Sequence, residues 1–476
     1  MATLTIRTAR RGNPNAAGGL AVKGWIAPVG RGTANGSSYA NAAPLSSLAA
    51  MIAAGGPGYY NILADEGSYT ISGASPAVTI ANAGGATAQK PVVIRGITAA
   101  GAAAKATMQG TRTAWTLPAD PETVTDTRAW TDGGAEVFRL SASAASYITF
   151  RDLHFKDIGG HTSAGAVSSG GSTTIYVSAG PVAGIRIVDC TALNVRRLFD
   201  TATAVSVPGL SIESTTVTGF SKNCVRVRGD TDGITLADCV FDSGRQDGDN
   251  FAQGLQVEET AHNIVVSRCT FKGCHDTVNA YANGDGISAE ATTYNLAVYD
   301  STFEGNTDGG VDIKCATGSV WFERCTFTGN KRNIRVWQRT NATPMFFVDC
   351  TSASPYERAG TSGNPCHVFL TGGTTSGDPG AIITLTRPIL TGFVTQGVSG
   401  QPVGNRVRIE GHNALCTLQD LLIDNPSGVS DTLTQGTSSV VEIETPPDPP
   451  AGYALLTGAD GLYLRGADGA YLHALV

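Results

Sequence analysis

From Tyr294 to Trp337 the chain sets out short runs of alternating apolar and polar residues, and it does so twice. Asp300-Ser301-Thr302-Phe303-Glu304-Gly305-Asn306 returns as Arg324-Cys325-Thr326-Phe327-Thr328-Gly329-Asn330, a step of 24 residues. Each copy leads into a second alternation, Val311-Asp312-Ile313-Lys314 and then Ile334-Arg335-Val336-Trp337. Alternation with a period of two predicts strands with one face buried and one wet. Self-similarity at a few tens of residues predicts a solenoid, in which each repeat stacks on its neighbours.

Extending that register along the chain aligns Leu153, Cys190, Ser214, Cys239, Cys269, Ser301, Cys325, Cys350, Pro388 and Leu421 as an inward column. Two residues on, Phe155, Phe241, Phe271, Phe303 and Phe327 predict an aromatic stack inside the tube. Coils of a parallel stack are about 4.8 Å apart, so like side chains pile on like. The longer steps fall where the loops 243–253 and 273–285 are inserted.

The pattern divides the chain into three parts. Residues 1–31 are rich in Gly, Ala and Arg with weak periodicity, and read as an arm or attachment segment. Residues 32–445 carry the coils, opened by a short helix with Leu45, Leu48, Met51 and Ile52 on one face and Gly55-Gly56 at its end. Such a helix covers a sheet edge that would otherwise be exposed. Between 97 and 140 the pattern weakens, and Trp115 and Trp130 are read as anchors of a surface excursion. Residues 446–476 begin with Pro446 to Pro450, which break strand pairing, and continue with GADGLYLR and GADGAYLH, whose Asp-Gly pairs suit hairpin turns. A tail this small cannot fold alone and is expected to pack on copies of itself or on a neighbouring subunit.

Composition narrows the chemistry. The 59 glycines suit many tight turns between short strands. Ten cysteines show neither C-x-x-C pairs nor Cys/His zinc spacing, and five of them sit in the inward column, where cysteine acts as a small hydrophobe. The first residues lack the apolar core of a signal peptide, and no run is long enough to span a membrane, so synthesis in a reducing cytoplasm without membrane insertion is expected. A formal net charge of -7 without a basic run argues against nucleic acid.

The second strand of each coil sends two columns outward. One is Arg226, Gln256, Ser288, Asp312, Arg335 and His367, and the other is Arg228, Glu258, Glu290, Lys314, Trp337 and Phe369. A solvated face with alternating charges is the plainer reading. Asp285, Glu290, Asp308 and Asp312 nevertheless crowd two adjacent coils, beneath loops that hold Asp247, Asp249, His275 and Asp276. Like charges so close need a cation or a proton to coexist. Glu258, Glu290 and Asp312 are candidates for cleaving a glycosidic bond. One coil offers about 4.8 Å between carboxylates and two offer about 9.6 Å, near the retaining and inverting separations. Trp337 is the expected sugar platform, with Lys314 and His275 as further substrate contacts.

The run GTANGSSYANA from Gly32, the short helix, and Pro91-Val92-Val93-Ile94-Arg95-Gly96 resemble the start of right-handed parallel β-helices of the pectate-lyase-like superfamily. The resemblance implies an all-β fold of that architecture. A local resemblance is to polysaccharide lyase family nine, carried by Asn283-Gly284-Asp285-Gly286-Ile287 and Asn306-Thr307-Asp308-Gly309-Gly310-Val311-Asp312. It implies calcium held by Asp285, Asp308 and Asp312, with Gly309 standing where that family has another Asp. The family's basic catalytic lysine falls at Arg335, and arginine is a poor base. The arm, the coils, the Pro-rich hinge and the small tail together resemble phage tailspikes. That resemblance implies a virion-surface homotrimer, joined to other virion proteins by the arm or the tail, that binds and depolymerises a bacterial surface polysaccharide. A non-enzymatic receptor-binding spike and a calcium-dependent bacterial lyase are the alternatives.

Overall fold

The computed structural model describes residues 19–73, 75–112, 136–159, 173–246, 251–275, 283–337, 345–356, 365–392, 405–423, 432–444, 453–455 and 473–475. One coil shows how the rest are made. Val320–Glu323 lies in a first sheet, Arg324 turns the chain in a left-handed conformation (φ 52°), and Thr326–Thr328 enters a second sheet. Arg332–Val336 then enters a third sheet, and the next coil begins directly above at Met345–Val348. Within these three sheets the strands pair in parallel with those of neighbouring coils, giving a parallel β-helix. Among the described residues the first sheet has 15 strands and the other two have 12 each.

The inward columns follow the predicted register. Phe241, Phe271, Phe303 and Phe327 are consecutive partners in the second sheet, with ring centroids 5.3, 5.3 and 4.8 Å apart. All ten cysteines are buried and free, and burial pushes Cys190, Cys315, Cys366 and Cys416 up to about 12. A thiol that stays protonated is inert, so these cysteines serve as packing groups. One column member is corrected: Ser214 is exposed with φ 48°, and Thr215 is the buried residue beneath Cys239.

Two third-sheet strands, Leu255–Val257 and Ile287–Ala289, are preceded by a glycine, Gly254 and Gly286, for a steric reason. A Cβ on Gly286 would meet Gly310 O at 2.5 Å and the Phe303 ring at 2.7 Å, so only glycine lets the backbone pass the aromatic stack. At the same corner the interior is polar. Asn306 Nδ2 donates to Asn330 Oδ1 (2.8 Å), Asn330 Nδ2 to Asn333 Oδ1 (2.9 Å), and Asn333 Nδ2 to Ser352 Oγ (2.8 Å). His367 Nδ1 lies 2.7 Å from Ser352 Oγ. His367 is therefore an interior residue and not part of the outward column; burial pushes its imidazole down to about 3.

The opposite corner, between the first and second sheets, carries a feature the sequence reading passed over. Asp238, Arg268, Asp300, Arg324, Asp349, Arg387 and Asp420 occupy the same turn position in successive coils, all with φ between 49° and 56°. Their charges alternate. Arg268 Nε meets Asp238 Oδ1, Arg324 Nε meets Asp300 Oδ1 and Arg387 Nε meets Asp349 Oδ1, each at 2.6 Å. Exposed pairs of this kind contribute about 1 kcal/mol or less each, but they offset the strain of arginines in a left-handed turn.

The ends differ from the expected boundaries. Val22–Ala27 already pairs with Gly58–Leu63 in the first sheet, so the coils begin inside the segment read as an arm. The helix Leu48–Gly55 buries Leu48 and Ile52 as predicted and stops at Gly56 (φ 64°). The first sheet ends at Ser439–Ile443. In the tail, Tyr453–Leu455 pairs antiparallel with His473–Leu475. The two predicted Asp-Gly turns, the proline run, Trp115, Trp130, Asp247, Asp249 and Asp276 lie outside the described residues.

Because the phenylalanine stack is continuous, Phe303→Ala should cost about 3–5 kcal/mol. Chemical denaturation would show this as a lower midpoint, and a loss below about 1 kcal/mol would contradict the stacking account.

Candidate active site on the third sheet

The third sheet brings together the residues singled out above. Its outward column runs Asp200, Arg226, Gln256, Ser288, Asp312, Arg335 and Phe369 in consecutive partners. Beside it, the backbone N–H groups of Glu258, Glu290, Lys314 and Trp337 continue the ladder to the coil below. Both columns match the sequence reading up to Trp337. Above it, Phe369 takes the place assigned to His367, because the strand Cys366–Thr371 is set two residues further along.

This outward face is not a solvated one. Asp200, Gln256, Ser288, Asp312 and Phe369 are each at most 6% exposed, whereas outward residues of the other sheets such as Thr216, Thr235 and Glu304 are exposed. Buried charge is expensive unless paired, and the structure shows the pairing. Arg332 Nη1 donates to Asp308 Oδ1 (2.5 Å), and Arg335 Nη1 reaches Asp308 Oδ2 and lies 3.4 Å from Asp312 Oδ2. Lys314 Nζ lies 3.1 Å from Asp312 Oδ2 and donates to Glu290 Oε1 at 2.8 Å. The sequence Arg332, Asp308, Arg335, Asp312, Lys314, Glu290 is an unbroken alternation of charge, running from buried aspartates to half-buried Lys314 and Glu290.

One carboxylate oxygen in this chain lacks a partner. Asp312 Oδ2 is held by Lys314 and Arg335, but Asp312 Oδ1 is buried with no hydrogen bond among the described residues. Asp285 sits at the edge of the sheet, fully buried; Gly309 N–H donates to its Oδ1 (2.8 Å) and Gln253 Nε2 to its Oδ2 (3.3 Å). Burial first, then the charges of Asp308 and Asp312, push Asp285 well above the ordinary carboxylate range, with Arg335 and Lys314 opposing. It keeps its proton at a pH where an ordinary aspartate has lost it. Glu258 is also raised, by burial and by Glu290 and Asp200, against Arg226 and Arg228.

The calcium expectation does not fit this arrangement. Asp285, Asp308 and Asp312 do converge, but Arg332, Arg335 and Lys314 neutralise Asp308 and Asp312, and the raised Asp285 is held by the Gly309 N–H and Gln253. Calcium wants six to eight oxygens, and the carboxylate oxygens of Asp308 already face guanidinium groups. Among the described residues no three His, Cys, Asp or Glu are grouped to hold a metal ion. Gly309 cannot be replaced by the missing ligand either, since a Cβ there would meet Val311 O at 2.7 Å and Asp285 Oδ1 at 2.8 Å.

Three further assignments change. Arg335 is fixed between two aspartates with its guanidinium 4.7 Å from the Trp337 ring centroid, and despite burial its charge is reinforced by Asp312, Asp308 and Asp285. It orients carboxylates and does not act as a base. His275 is 2% exposed and is not one of the outward residues of the third sheet. Lys314 is an ion-pair partner of two acids; burial works against its charge, but Asp312 and Glu290 outweigh that and raise its pKa. Trp337 keeps its expected place, stacked on Phe369 with centroids 5.9 Å apart and rings inclined by 13°. Arg332 and Asp200 were missed, although Asp200 holds the same register one coil before Arg226.

Among the described residues, no helix is long and apolar enough to cross a membrane. Residues 140–345, which include most of the site, match the family profile described as "Right handed beta helix region", and the chain is a right-handed parallel β-helix. No curated protein matches the sequence. Among solved structures, the catalytic unit of a thermostable GH87 alpha-1,3-glucanase from Streptomyces thermodiastaticus strain HF3-3 is similar at 14% identity and TM-score 0.48, covering 90% of this chain and 71% of that one. An exopolygalacturonase from Thermotoga maritima is similar at 8% identity and TM-score 0.44, covering 78% and 87%. Pectate lyase Pel9A is similar at 14% identity and TM-score 0.40, covering 78% and 79%.

The raised Asp285 sets a direction for pH dependence. Its contribution to stability is present below the unfolded value of about 3.9 and is lost as pH rises towards the folded value. The stability of the wild type minus that of Asp285→Asn should therefore fall as pH increases above about 4. Urea denaturation across pH 4–9 tests this, and a difference independent of pH would count against the buried proton.

Proposed function

We propose that the outward face of the third sheet binds a polysaccharide and cleaves its glycosidic bonds by acid–base chemistry. The observation that carries the reading is Asp312: one oxygen is fixed by Lys314 and Arg335, and the other is buried without a partner among the described residues. A carboxylate held in this way is oriented to take a proton from water. Glu258, raised by burial and by Glu290, has the environment of the complementary acid. The two lie on coils two steps apart, about 9.6 Å of rise, and two residues apart along the strand. They are too far apart for a retaining pair, and the long Glu258 side chain must lean towards Asp312 to form an inverting one. Glu290 shares the Lys314 ammonium with Asp312 and holds it in place. Trp337 stacked on Phe369 supplies a flat apolar surface for a sugar ring.

The same charge balance disfavours a lyase. Elimination needs a base, and here Lys314 is held protonated between two acids, while Arg335 cannot be deprotonated. The polymer proposed is a bacterial surface polysaccharide, met by a virion-associated spike made of three copies. Outward Leu193, Ile389 and Leu422 of the second sheet are exposed, which supports side-by-side packing of copies.

Asp312→Asn should lower the rate of reducing-end release from a polysaccharide that binds by roughly 10²–10⁴-fold, with little change in affinity. Glu258→Gln should remove the alkaline limb of the rate profile. Cleavage by both variants at the wild-type rate would exclude these roles, and binding without any new ends would leave a receptor-binding spike. Multi-angle light scattering should give three times the chain mass, and a monomer at micromolar concentration would exclude the trimer.

A further inference from the structure

Inside the tube, one coil looks much like the next. From Phe241 to Phe327 each second-sheet strand presents a buried phenylalanine in the same register, with a buried cysteine or serine two residues before it. Stacks of this kind favour like on like, so they hold coils together without telling one coil from another. Phe303 would find in Phe241 the partner it has in Phe271. A strand that skips one coil, leaving it out as a loop, therefore keeps its interior contacts, and the entropy of closing a loop rises only slowly with its length. The same holds for a coil that pairs with its own equivalent in a second copy.

The corner between the first and second sheets does tell coils apart. Its turn residues repeat every second coil: Asp238, Arg268, Asp300, Arg324, Asp349, Arg387 and Asp420. Each arginine makes a two-pronged contact with the aspartate one coil before it. Nε to Oδ1 is 2.6 Å in all three pairs, and Nη2 to Oδ2 is 3.0, 3.1 and 2.7 Å. The acid one coil after adds to this. The charge of Arg268 is favoured first by Asp238 and further by Asp300, and that of Arg387 first by Asp349 and further by Asp420. Leaving out one coil would set Asp300 on Asp238, or Arg324 on Arg268, and pairing a coil with its copy would also set like on like. We propose that this alternation is a register device, which rejects stacking that skips one coil or joins equivalent coils of two chains while adding little to the stability of the finished fold.

Two observations favour this over plain surface pairing. Arginine is a poor choice for a left-handed turn, which asparagine and aspartate tolerate better, yet the chain places it there three times, at φ 51°, 52° and 50°. The alternation also begins where the interior starts to repeat. In the coils before Asp238 the inward residues differ, Phe155, Ala192 and Val217 in turn, and the corner holds Asp152, Asp189 and Ser214 without alternation. Register matters to the third sheet as well. The pairs Lys314–Glu290 and Arg335–Asp312 each span one coil step, and a skipped coil would part them.

The test compares refolding with native stability in the full chain. A first variant carries Arg268→Asn, Asp300→Asn, Arg324→Asn and Asp349→Asn, which erases the pattern there at constant net charge. A second exchanges every sign and keeps the alternation, with Asp238→Arg, Arg268→Asp, Asp300→Arg, Arg324→Asp, Asp349→Arg, Arg387→Asp and Asp420→Arg. After dilution from urea, the soluble fraction with native near-ultraviolet circular dichroism should fall about fivefold or more in the first and stay within about twofold of wild type in the second. The thermal midpoint of the folded first variant should match or exceed that of the wild type, because exposed pairs contribute little and asparagine relieves the turn. An undiminished yield in the first variant, or an equal loss in both, overturns the device. So does a loss of yield with a matching loss of thermal midpoint, which would make the pairs ordinary supports. Should neither variant be obtained folded, the wild type decides. Its refolding yield should decline from about 0.01 M to about 1 M sodium chloride as screening erases the pattern, and a yield that holds or rises overturns the device.

Discussion

A single spacing governs this molecule. Backbone hydrogen bonds between coils place residues about two dozen apart in the chain directly above one another, at the distance of neighbouring strands. Side chains therefore meet partners chosen by the coil period and not by local sequence. Inside the tube the rule favours repetition, since apolar groups gain from stacking on their own kind, as Phe271, Phe303 and Phe327 do. Outside it the rule forbids repetition of charge. The corner run from Asp238 to Asp420 and the third-sheet run from Glu290 to Arg332 both resolve the conflict by alternating sign.

The two charged runs differ in depth, and depth decides what they can do. At the corner the pairs are exposed, and water screens them. On the third sheet the column is buried, so each pair is stronger and each unmet atom costs more. On that face Asp312 Oδ1 is buried without a hydrogen bond among the described residues, and Asp200 faces Arg197, Arg226 and Arg228. They lie on one face, with Glu258 between them.

The coil period was legible because it is written in chemistry that tolerates little variation. Cys239, Cys269, Cys325 and Cys350 are buried at one inward position of successive coils, and Gly254 and Gly286 stand where a Cβ would meet a ring and a backbone oxygen. The outward column from Arg226 to Arg335 followed from the same period. His367 was misplaced because it shares the parity of the outward Phe369 but stands at the corner, level with Asn333, and turns inward to Ser352. The early strand Val22–Ala27 was hidden because Gly24 interrupts its alternation, a glycine that packs against Met51 and Tyr60.

What the order of residues determined by itself was the solenoid, the inward stacks and the convergence of Asp285, Asp308 and Asp312, because these depend only on which residues recur at the coil spacing. What the tertiary structure alone decided was how that convergence is neutralised. Acids can be counted along a chain, but whether they face a metal ion or a guanidinium depends on the directions of long side chains from neighbouring coils. Arg332, Arg335 and Lys314 turn inward to the aspartates, Arg226 and Arg228 crowd a single one, and no periodicity in the sequence specifies either choice.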